Sequence, residues 1–315
     1  MNRDDLFAGP HGLRSGWRVF LFILLFAAFL WLTNSVWKLV FFHAFAPQGN
    51  RTITPWLLLI GASSSLVAIL LALLVSARVE GVSPFVYGLP AKDAFRGRFW
   101  AGLSLGFLAL SALLLLIRLM HGFDIGVIEG PPILEARYGF FYAIAFLMVG
   151  FFEELLVRSY ILYTLTRGVG FWIAAVISST IFALLHLGNA GEGAVGIFAV
   201  FCAGMLFCFF VWRTGNLWFA IGFHASWDWA QSYFYGVPDS GLAAAGSLFH
   251  SRFSGARWLS GGNVGPEGSY LVFAAFALCA LLVHLAYPNA SYPAEAIRAQ
   301  YEASASRVSD LGNPG

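Results

Sequence analysis

The sequence contains few charged residues. Only 11% of its 315 residues are Asp, Glu, Lys or Arg, whereas soluble globular domains average about 25%. Apolar residues make up 59% of the chain, and the mean hydropathy is +0.75. These values exclude a disordered chain, a coiled coil and an ordinary soluble enzyme, because each of those classes carries far more charge.

Cysteine is also scarce, and basic residues form no run. The three cysteines, Cys202, Cys208 and Cys279, lie in apolar stretches and cannot form a fully paired set. We therefore expect them to be small buried side chains rather than disulfides. The formal net charge is only +2, which argues against a nucleic-acid partner.

Long apolar segments are abundant instead. A bilayer core requires about 20 mostly apolar residues per helix. Eight segments meet this need: 19–37, 55–77, 99–117, 139–163, 170–188, 194–212, 216–235 and 269–287. No cleavage-site pattern follows the first one, so it is predicted to be a span rather than a removed signal. We expect an all-α, polytopic transmembrane helix bundle of about eight spans, surrounded by membrane lipid.

The distribution of Lys and Arg predicts how this bundle is oriented. If the N-terminus is cytoplasmic, the inner segments carry twelve of these residues and the outer segments carry six. Inner loops of membrane proteins are enriched in Lys and Arg. Both termini are therefore predicted to be cytoplasmic, in a multi-pass integral membrane protein that lies in the plasma (inner) membrane if the host is bacterial.

Ionisable residues are concentrated in three of the eight spans. A charge at the centre of a spanning helix costs roughly 2.5–3.5 kcal/mol on insertion scales, so six of them would cost on the order of 15 kcal/mol in lipid. We therefore expect these side chains to converge on one another, on water or on an ion. They are Glu153, Glu154 and Arg158 in the fourth span, His186 in the fifth, and His224 and Asp228 in the seventh.

The spacing of these residues predicts which of them pair. Glu154 and Arg158 are four residues apart and share a helix face, which favours an ion pair. Glu153 is rotated by about 100° from Glu154 and is predicted to point into a cavity without a helix partner. His224 and Asp228 are also four apart and project from one face. Such a set can deprotonate water and stabilise an oxyanion, and it can also bind Zn²⁺.

Three short patterns in these spans resemble the type II CAAX prenyl endopeptidase family, also called the Abi or CPBP family. Its Glu-Glu-x-x-x-Arg pattern is matched by residues 153–158, and its Phe-x-x-x-His pattern by residues 182–186. Its His-x-x-x-Asn or Asp pattern is matched by residues 224–228. The patterns occur in the family's order, each within an apolar segment, and the resemblance covers roughly residues 139–235.

This resemblance implies an intramembrane endopeptidase that hydrolyses a peptide bond of a membrane-associated protein or peptide. Glu153 would activate the attacking water, and His186 would position or polarise that water. His224 and Asp228 would lie on the oxyanion side of the reaction. Whether the substrate is prenylated does not follow from the resemblance.

The resemblance also implies a supporting role for Glu154 and Arg158, which would hold the shape of the site. The resemblance favours a glutamate protease that needs no cofactor, with a metallo-endopeptidase that binds Zn²⁺ as the alternative. The helical His-Glu-x-x-His signature is absent, so a zinc protease of that class is not indicated. In the alternative, the metal ligands would be Glu153, His186, His224 and Asp228.

The region that carries these patterns divides the chain into four parts. Residues 1–138 are predicted to form an N-terminal transmembrane region of three spans, and residues 139–235 the protease-like core. An outer loop and the last span follow in residues 236–287. Residues 288–315 are predicted to be a short polar tail.

Two features complicate this interpretation. The eukaryotic enzymes have Asn at the position of Asp228, so Asp228 would have to stay protonated, orient His224 or bind a metal. His186 also lies near the end of its predicted span, whereas Glu153 and His224 lie near the middle of theirs. It is expected to reach them only if its helix is displaced, tilted or continued past Gly188.

Two other classes of function compete with the peptidase. A family member without protease activity would act by binding, as an immunity or scaffold protein. A proton-coupled transporter would also place Glu and His within the membrane. The sequence has no paired halves with interrupted helices, which argues against the transporter.

Overall fold

The computed structural model describes residues 8, 9, 12–41, 52–128, 130–189 and 193–293. Most of the predicted polar tail, residues 294–315, lies outside these ranges. Within them, the α-helices are α1 (Ser15–Val40), α2 (Pro55–Val79), α3 (Gly97–Leu119), α4 (Pro132–Glu154), α5 (Leu162–Val169), α6 (Phe171–Leu185), α7 (Ala194–Thr214), α8 (Trp218–Trp229), α9 (Arg257–Ser260) and α10 (Leu271–Ala286).

Shorter elements connect or extend these helices. Strand pairs, each strand two residues long, form between β1 (Ala8–Gly9) and β2 (Gly12–Leu13), between β3 (Thr52–Ile53) and β5 (Ala243–Ala244), and between β4 (Phe123–Asp124) and β6 (Arg252–Phe253). Turns of 3₁₀-helix lie at Pro84–Val86, Ala91–Asp93, His186–Gly188 and Pro266–Gly268, and π-helical segments at Leu155–Ile161 and Ala230–Phe234.

The predicted helical membrane bundle is confirmed. Six helical segments of the described chain are long and apolar enough to cross a bilayer: Ser15–Val40, Pro55–Val79, Gly97–Leu119, Pro132–Val169, Phe171–Gly188 and Ala194–Thr214. The seventh predicted span corresponds to α8 with its π-helical extension, and the eighth to the shorter apolar helix α10. The architecture is consistent with about eight spans.

The segments that connect the helices gather alternately at the two ends of the bundle. Residues 236–270, called the cap below, cover one end. There β5 pairs in parallel with β3, which precedes α2, and β6 pairs antiparallel with β4, which follows α3. At the other end, the N–H of Leu217 donates to the carbonyl of Gly88. This alternation is what consecutive spans require.

Glycines hold α3 tightly against α8. A Cβ atom at Gly102 would lie 2.0 Å from the carbonyl oxygen of Phe219, and one at Gly106 would lie 2.3 Å from that of Phe223. On α8, a Cβ atom at Gly222 would likewise lie 2.2 Å from the carbonyl oxygen of Phe99. Residues 102–106 form a Gly-x-x-x-Gly pattern, which lets membrane helices approach closely. This contact positions α8, the helix that carries His224.

The fourth span departs from the uniform helix expected from its sequence. After α4 ends at Glu154, a π-helical segment follows, and Ser159 inside it has non-helical angles (φ −88°, ψ −105°). The hydroxyl of Ser178 donates to the carbonyl of Val157 at 2.7 Å and so satisfies one group of the irregular backbone. Ser159 itself donates to the carbonyl of Tyr87 at 2.8 Å. Such π-helical turns are frequent at functional sites.

Candidate active site

The structure brings the four predicted catalytic residues to one internal cavity. Glu153, His186, His224 and Asp228 all line a cavity of about 440 Å³ inside the bundle, and most of the remaining lining is apolar. Three different spans contribute these side chains. Their convergence is the arrangement expected for ionisable groups that avoid lipid.

The length of the fourth span explains how His186 reaches this cavity. The helical segment continues to Val169, six residues beyond its predicted end, and turns at Gly170, whose φ of +81° favours glycine. Glu153 lies 17 residues before Gly170 and His186 lies 16 residues after it. The two residues are therefore at similar depth in the helical hairpin. The fourth helix is longer than predicted, and this added length removes the expected difference in depth between His186 and Glu153.

The hydrogen bond of His186 determines which of its nitrogens faces other groups. Its Nδ1 lies 2.8 Å from the carbonyl oxygen of Phe182. A carbonyl can only accept, so Nδ1 carries the hydrogen and donates it. In the neutral ring, Nε2 then holds a lone pair and can accept a hydrogen bond from water.

Glu154 and Arg158 form the ion pair that their spacing predicts. Arg158 Nη1 lies 3.1 Å from Glu154 Oε1, and both side chains are fully buried. The guanidinium carbon also lies 4.1 Å from the ring centroid of Phe182 and 5.2 Å from that of Phe207. Arg158 Nε and Nη2 have no hydrogen-bond partner among the described residues, so cation–π contacts supply part of the compensation for burying this charge.

Glu154 has a second contact that the sequence analysis did not anticipate. Its Oε1 lies 2.9 Å from Nδ1 of His224, which is 70 residues away in the chain. No local spacing could have indicated this pair. Because Glu154 is held by Arg158, its carboxylate accepts from Nδ1 and directs the other ring nitrogen of His224 toward the cavity.

The second nitrogen of His224 lies between two further carboxylates. Nε2 is 3.6 Å from Glu153 Oε2 and 3.5 Å from Asp228 Oδ2. Both separations exceed the usual length of a hydrogen bond, so a third group could touch Nε2 and a carboxylate together. A neutral Nε2 would present its lone pair to two anions. At least one proton on His224, Glu153 or Asp228 therefore stabilises this arrangement.

The geometry does not provide a ready metal site. Among the described residues, no group of three or more His, Cys, Asp or Glu side chains is arranged to hold a metal ion. The Zn²⁺ ligands considered above line the cavity. Nδ1 of His186 and of His224 is held by Phe182 and Glu154, which leaves Nε2 of each ring free, as in histidines that bind metals.

Comparison with known proteins agrees with the motif recognition. Residues 136–230 match the family model described as type II CAAX prenyl endopeptidase Rce1-like. No curated protein matches the chain significantly. The matched segment contains all three motifs and covers the π-helical turn. Residues 136–230 of this chain are therefore similar to the Rce1-like type II CAAX prenyl endopeptidases, a family of peptidases.

Proposed function

We propose that this chain is an intramembrane endopeptidase that hydrolyses a peptide bond of a membrane-associated protein or peptide. The observation that carries the proposal is the convergence of Glu153, His186, His224 and Asp228 on one cavity within the bundle. The match to a peptidase family supports the same reaction class.

In the proposed reaction, Glu153 acts as the general base. Its carboxylate takes a proton from a water molecule, whose oxygen then attacks the carbonyl carbon of the peptide bond. Nε2 of His186 accepts a hydrogen bond from the same water and orients it. When the C–N bond breaks, protonated Glu153 gives its proton to the departing amine nitrogen.

His224 and Asp228 stabilise the oxyanion formed by this attack. Protonated His224 donates from Nε2 to the developing negative charge, and the carboxylate of Glu154 at Nδ1 balances the imidazolium. Asp228, 3.5 Å from the same nitrogen, donates as a neutral acid. Arg158 holds Glu154 in place through their ion pair. Glu154 is thus a positioning residue, since it acts through His224.

We propose that the reaction needs no metal ion. The proposal is supported by the described side chains, among which no group of three or more His, Cys, Asp or Glu is arranged to hold a metal ion. Incubation of the purified chain with a strong zinc chelator should leave activity unchanged. Loss of activity that Zn²⁺ restores would identify a metallo-endopeptidase instead.

The orientation with cytoplasmic termini remains part of the proposal. It places the cap, residues 236–270, on the outer side of the membrane. A cysteine introduced by Ser254→Cys, at an exposed position of the cap, should react in intact cells with a maleimide that cannot cross the membrane. Reaction only after the cells are opened would reverse the orientation.

The peptidase proposal is tested on the peptide termini in host membranes. Wild type and Glu153→Gln are expressed at equal, folded levels, with Asp124→Asn as a control in an exposed strand of the same chain. We expect new termini with wild type and Asp124→Asn, and none with Glu153→Gln. Identical termini for all three would overturn the peptidase, and a Glu153→Gln chain that still performed the cellular role would support a binding function.

A further inference from the structure

Two carboxylates of the cap line the same cavity as the candidate catalytic groups. Asp239 and Glu267 face this space together with Asp228 of α8. The family patterns do not include either cap residue, and both lie beyond residues 136–230, the segment matched by the family model. The proposed water activation does not use them.

Hydrogen bonds hold these two carboxylates in place. Ser232, four residues after Asp228, donates from Oγ to Asp239 Oδ2 at 2.9 Å. Ser240 donates to Glu267 Oε2 from its backbone N at 3.2 Å and from its Oγ at 3.1 Å. Ser240 has a φ of +45°, which is uncommon for a residue other than glycine. Asp228 of α8 and the cap residues Asp239 and Glu267 thus line one cavity, and these three carboxylates are called the acidic wall below.

The charge of the acidic wall is not balanced by any Lys or Arg that the structure describes. Among the described residues, no Lys or Arg forms an ion pair with Asp228, Asp239 or Glu267. Asp228 is 7% exposed, faces the cavity and accepts no hydrogen bond from a described residue, and its nearest charged partner is His224 Nε2 at 3.5 Å. Asp239 and Glu267 are half-buried and have no described Lys or Arg partner, so a positive group that enters the cavity would stabilise them.

The chemistry of Asp239 agrees with this charge imbalance. Burial raises the pKa of Asp239 well above its ordinary value, and the neighbouring carboxylates of Asp228 and Glu267 raise it further. A bound cation would reverse the effect of those neighbours and favour the ionised form.

A different wall of the cavity is apolar. It is formed by Phe26 and Leu30 of α1 and by Phe146, Val149 and Phe152 of α4. Glu153 belongs to the same stretch of α4, so the apolar wall begins directly beside the proposed base. A peptide in the cavity would therefore meet apolar side chains on one wall and carboxylates on another.

We propose that Asp239 and Glu267 form a specificity subsite that binds a Lys or Arg side chain close to the bond that is cleaved. This inference rests on the proposed peptidase activity and adds the substrate class: a membrane-associated peptide in which an apolar segment adjoins a basic residue. The two carboxylates are specificity residues rather than parts of the proton-transfer machinery. A charge-assisted hydrogen bond in such a site corresponds to a preference of roughly tenfold or more.

The subsite is tested with the purified full chain in lipid nanodiscs. The probes are quenched fluorescent peptides with one apolar segment, in which each position flanking the segment is set in turn to Lys, Gln or Glu. We expect Lys peptides to be cleaved at least about tenfold faster than the matched Glu peptides at one of these positions. In Asp239→Asn combined with Glu267→Gln, this ratio should fall to about one.

The ratio of Lys-peptide to Glu-peptide cleavage rates is measured on one preparation of each variant. Partial unfolding lowers both rates together, so a change in the ratio reports on the subsite and not on stability. The single variant Glu267→Gln, which keeps an acceptor for Ser240, should lower the ratio partway, and exposed Asp124→Asn should leave it unchanged. Equal cleavage of Lys and Glu peptides by wild type, or an unchanged ratio in the double variant, would overturn the subsite. Cleavage that persists in Glu153→Gln would instead overturn the proposed peptidase itself.

Discussion

Oε1 of Glu154 lies 2.9 Å from Nδ1 of His224 and 3.1 Å from Nη1 of Arg158. One buried carboxylate oxygen thus joins the fourth span to the seventh. Because Nδ1 is held in this way, Nε2 of His224 is directed to the cavity, where Glu153 and Asp228 lie. The second carboxylate of the Glu-Glu pattern therefore acts on the histidine of a different helix, in addition to its own helix partner.

Replacing Glu154 by Gln should lower turnover by about 10²- to 10⁴-fold. The neutral amide no longer balances a charged His224. It can also turn its NH₂ group to Nδ1, which favours the neutral tautomer with a lone pair on Nδ1 over the imidazolium. The measurement is kcat and KM on a cleaved peptide. We expect the loss in kcat with KM nearly unchanged, and a pH profile shifted relative to wild type. A variant with wild-type kcat and pH profile would show that Glu154 serves only the fold.

Replacing Arg158 by Leu should reduce the free energy of unfolding by about 3–5 kcal/mol, because Glu154 is left charged and fully buried without its cation. The double change to Glu154→Gln and Arg158→Leu should cost less than Arg158→Leu alone. Unfolding in lipid nanodiscs or mild detergent measures both. Arg118→Leu, at an exposed helix end, is the control and should have little effect. Equal losses of unfolding free energy in Arg158→Leu and in the double variant would contradict a stabilising ion pair between Glu154 and Arg158.

Replacing Asp228 by Asn should retain much of the activity, whereas Asp228→Leu should lose most of it. An Asn amide can donate to an oxyanion, as a protonated Asp does, but a Leu side chain cannot. Peptide cleavage and thermal unfolding of both variants are compared. An inactive but folded Asp228→Asn protein would assign Asp228 a charged role or a metal ligand role.

Replacing Gly102 by Ala should destabilise the protein by roughly 2 kcal/mol or more. The added Cβ would meet the carbonyl oxygen of Phe219 at 2.0 Å, which forces α3 and α8 apart. Gly61→Ala is a matched control, because Gly61 also lies in a spanning helix but has no atom within 4 Å of its added Cβ. That control should be neutral or slightly stabilising. Equal stabilities of the two variants would contradict the close helix contact.

The stability of the cap should depend on pH through Asp239. Burial, with Asp228 and Glu267 nearby, raises the pKa of Asp239 in the folded protein, and His224 and Ser232 oppose this shift. The folded state therefore binds the proton more tightly than the unfolded state. The stabilisation from this proton is complete below about pH 4, the pKa of Asp in the unfolded chain, and is lost as the pH rises through the pKa of Asp239 in the folded protein. The free energy of unfolding, measured from pH 4 to 9, should decline less with rising pH in Asp239→Asn than in wild type. Parallel curves would contradict this role.

Much of the architecture follows directly from composition and periodicity. Segments of about 20 apolar residues can satisfy their backbone in a bilayer only as helices, so a helical bundle of about eight spans was predictable without homologues. Spacing along one helix likewise predicted the pair of Glu154 and Arg158, since residues four apart always share a face. The Gly-x-x-x-Gly pattern at residues 102–106 also carries a sequence signal for helix contact, although the sequence analysis did not use it.

Other features were decided by packing between helices. The contact of Glu154 with His224 spans 70 residues, and the depth of His186 depends on where the fourth helix turns at Gly170. The acidic wall brings together Asp239 and Glu267, and the short strands and turns of the cap between them have no single repeat that would predict this. The positions of the ionisable residues already show which side chains must leave the lipid, because a charge there is costly. Which of them face one another depends on packing, because helix ends, close glycine contacts and hydrogen bonds across the bundle select partners on different helices.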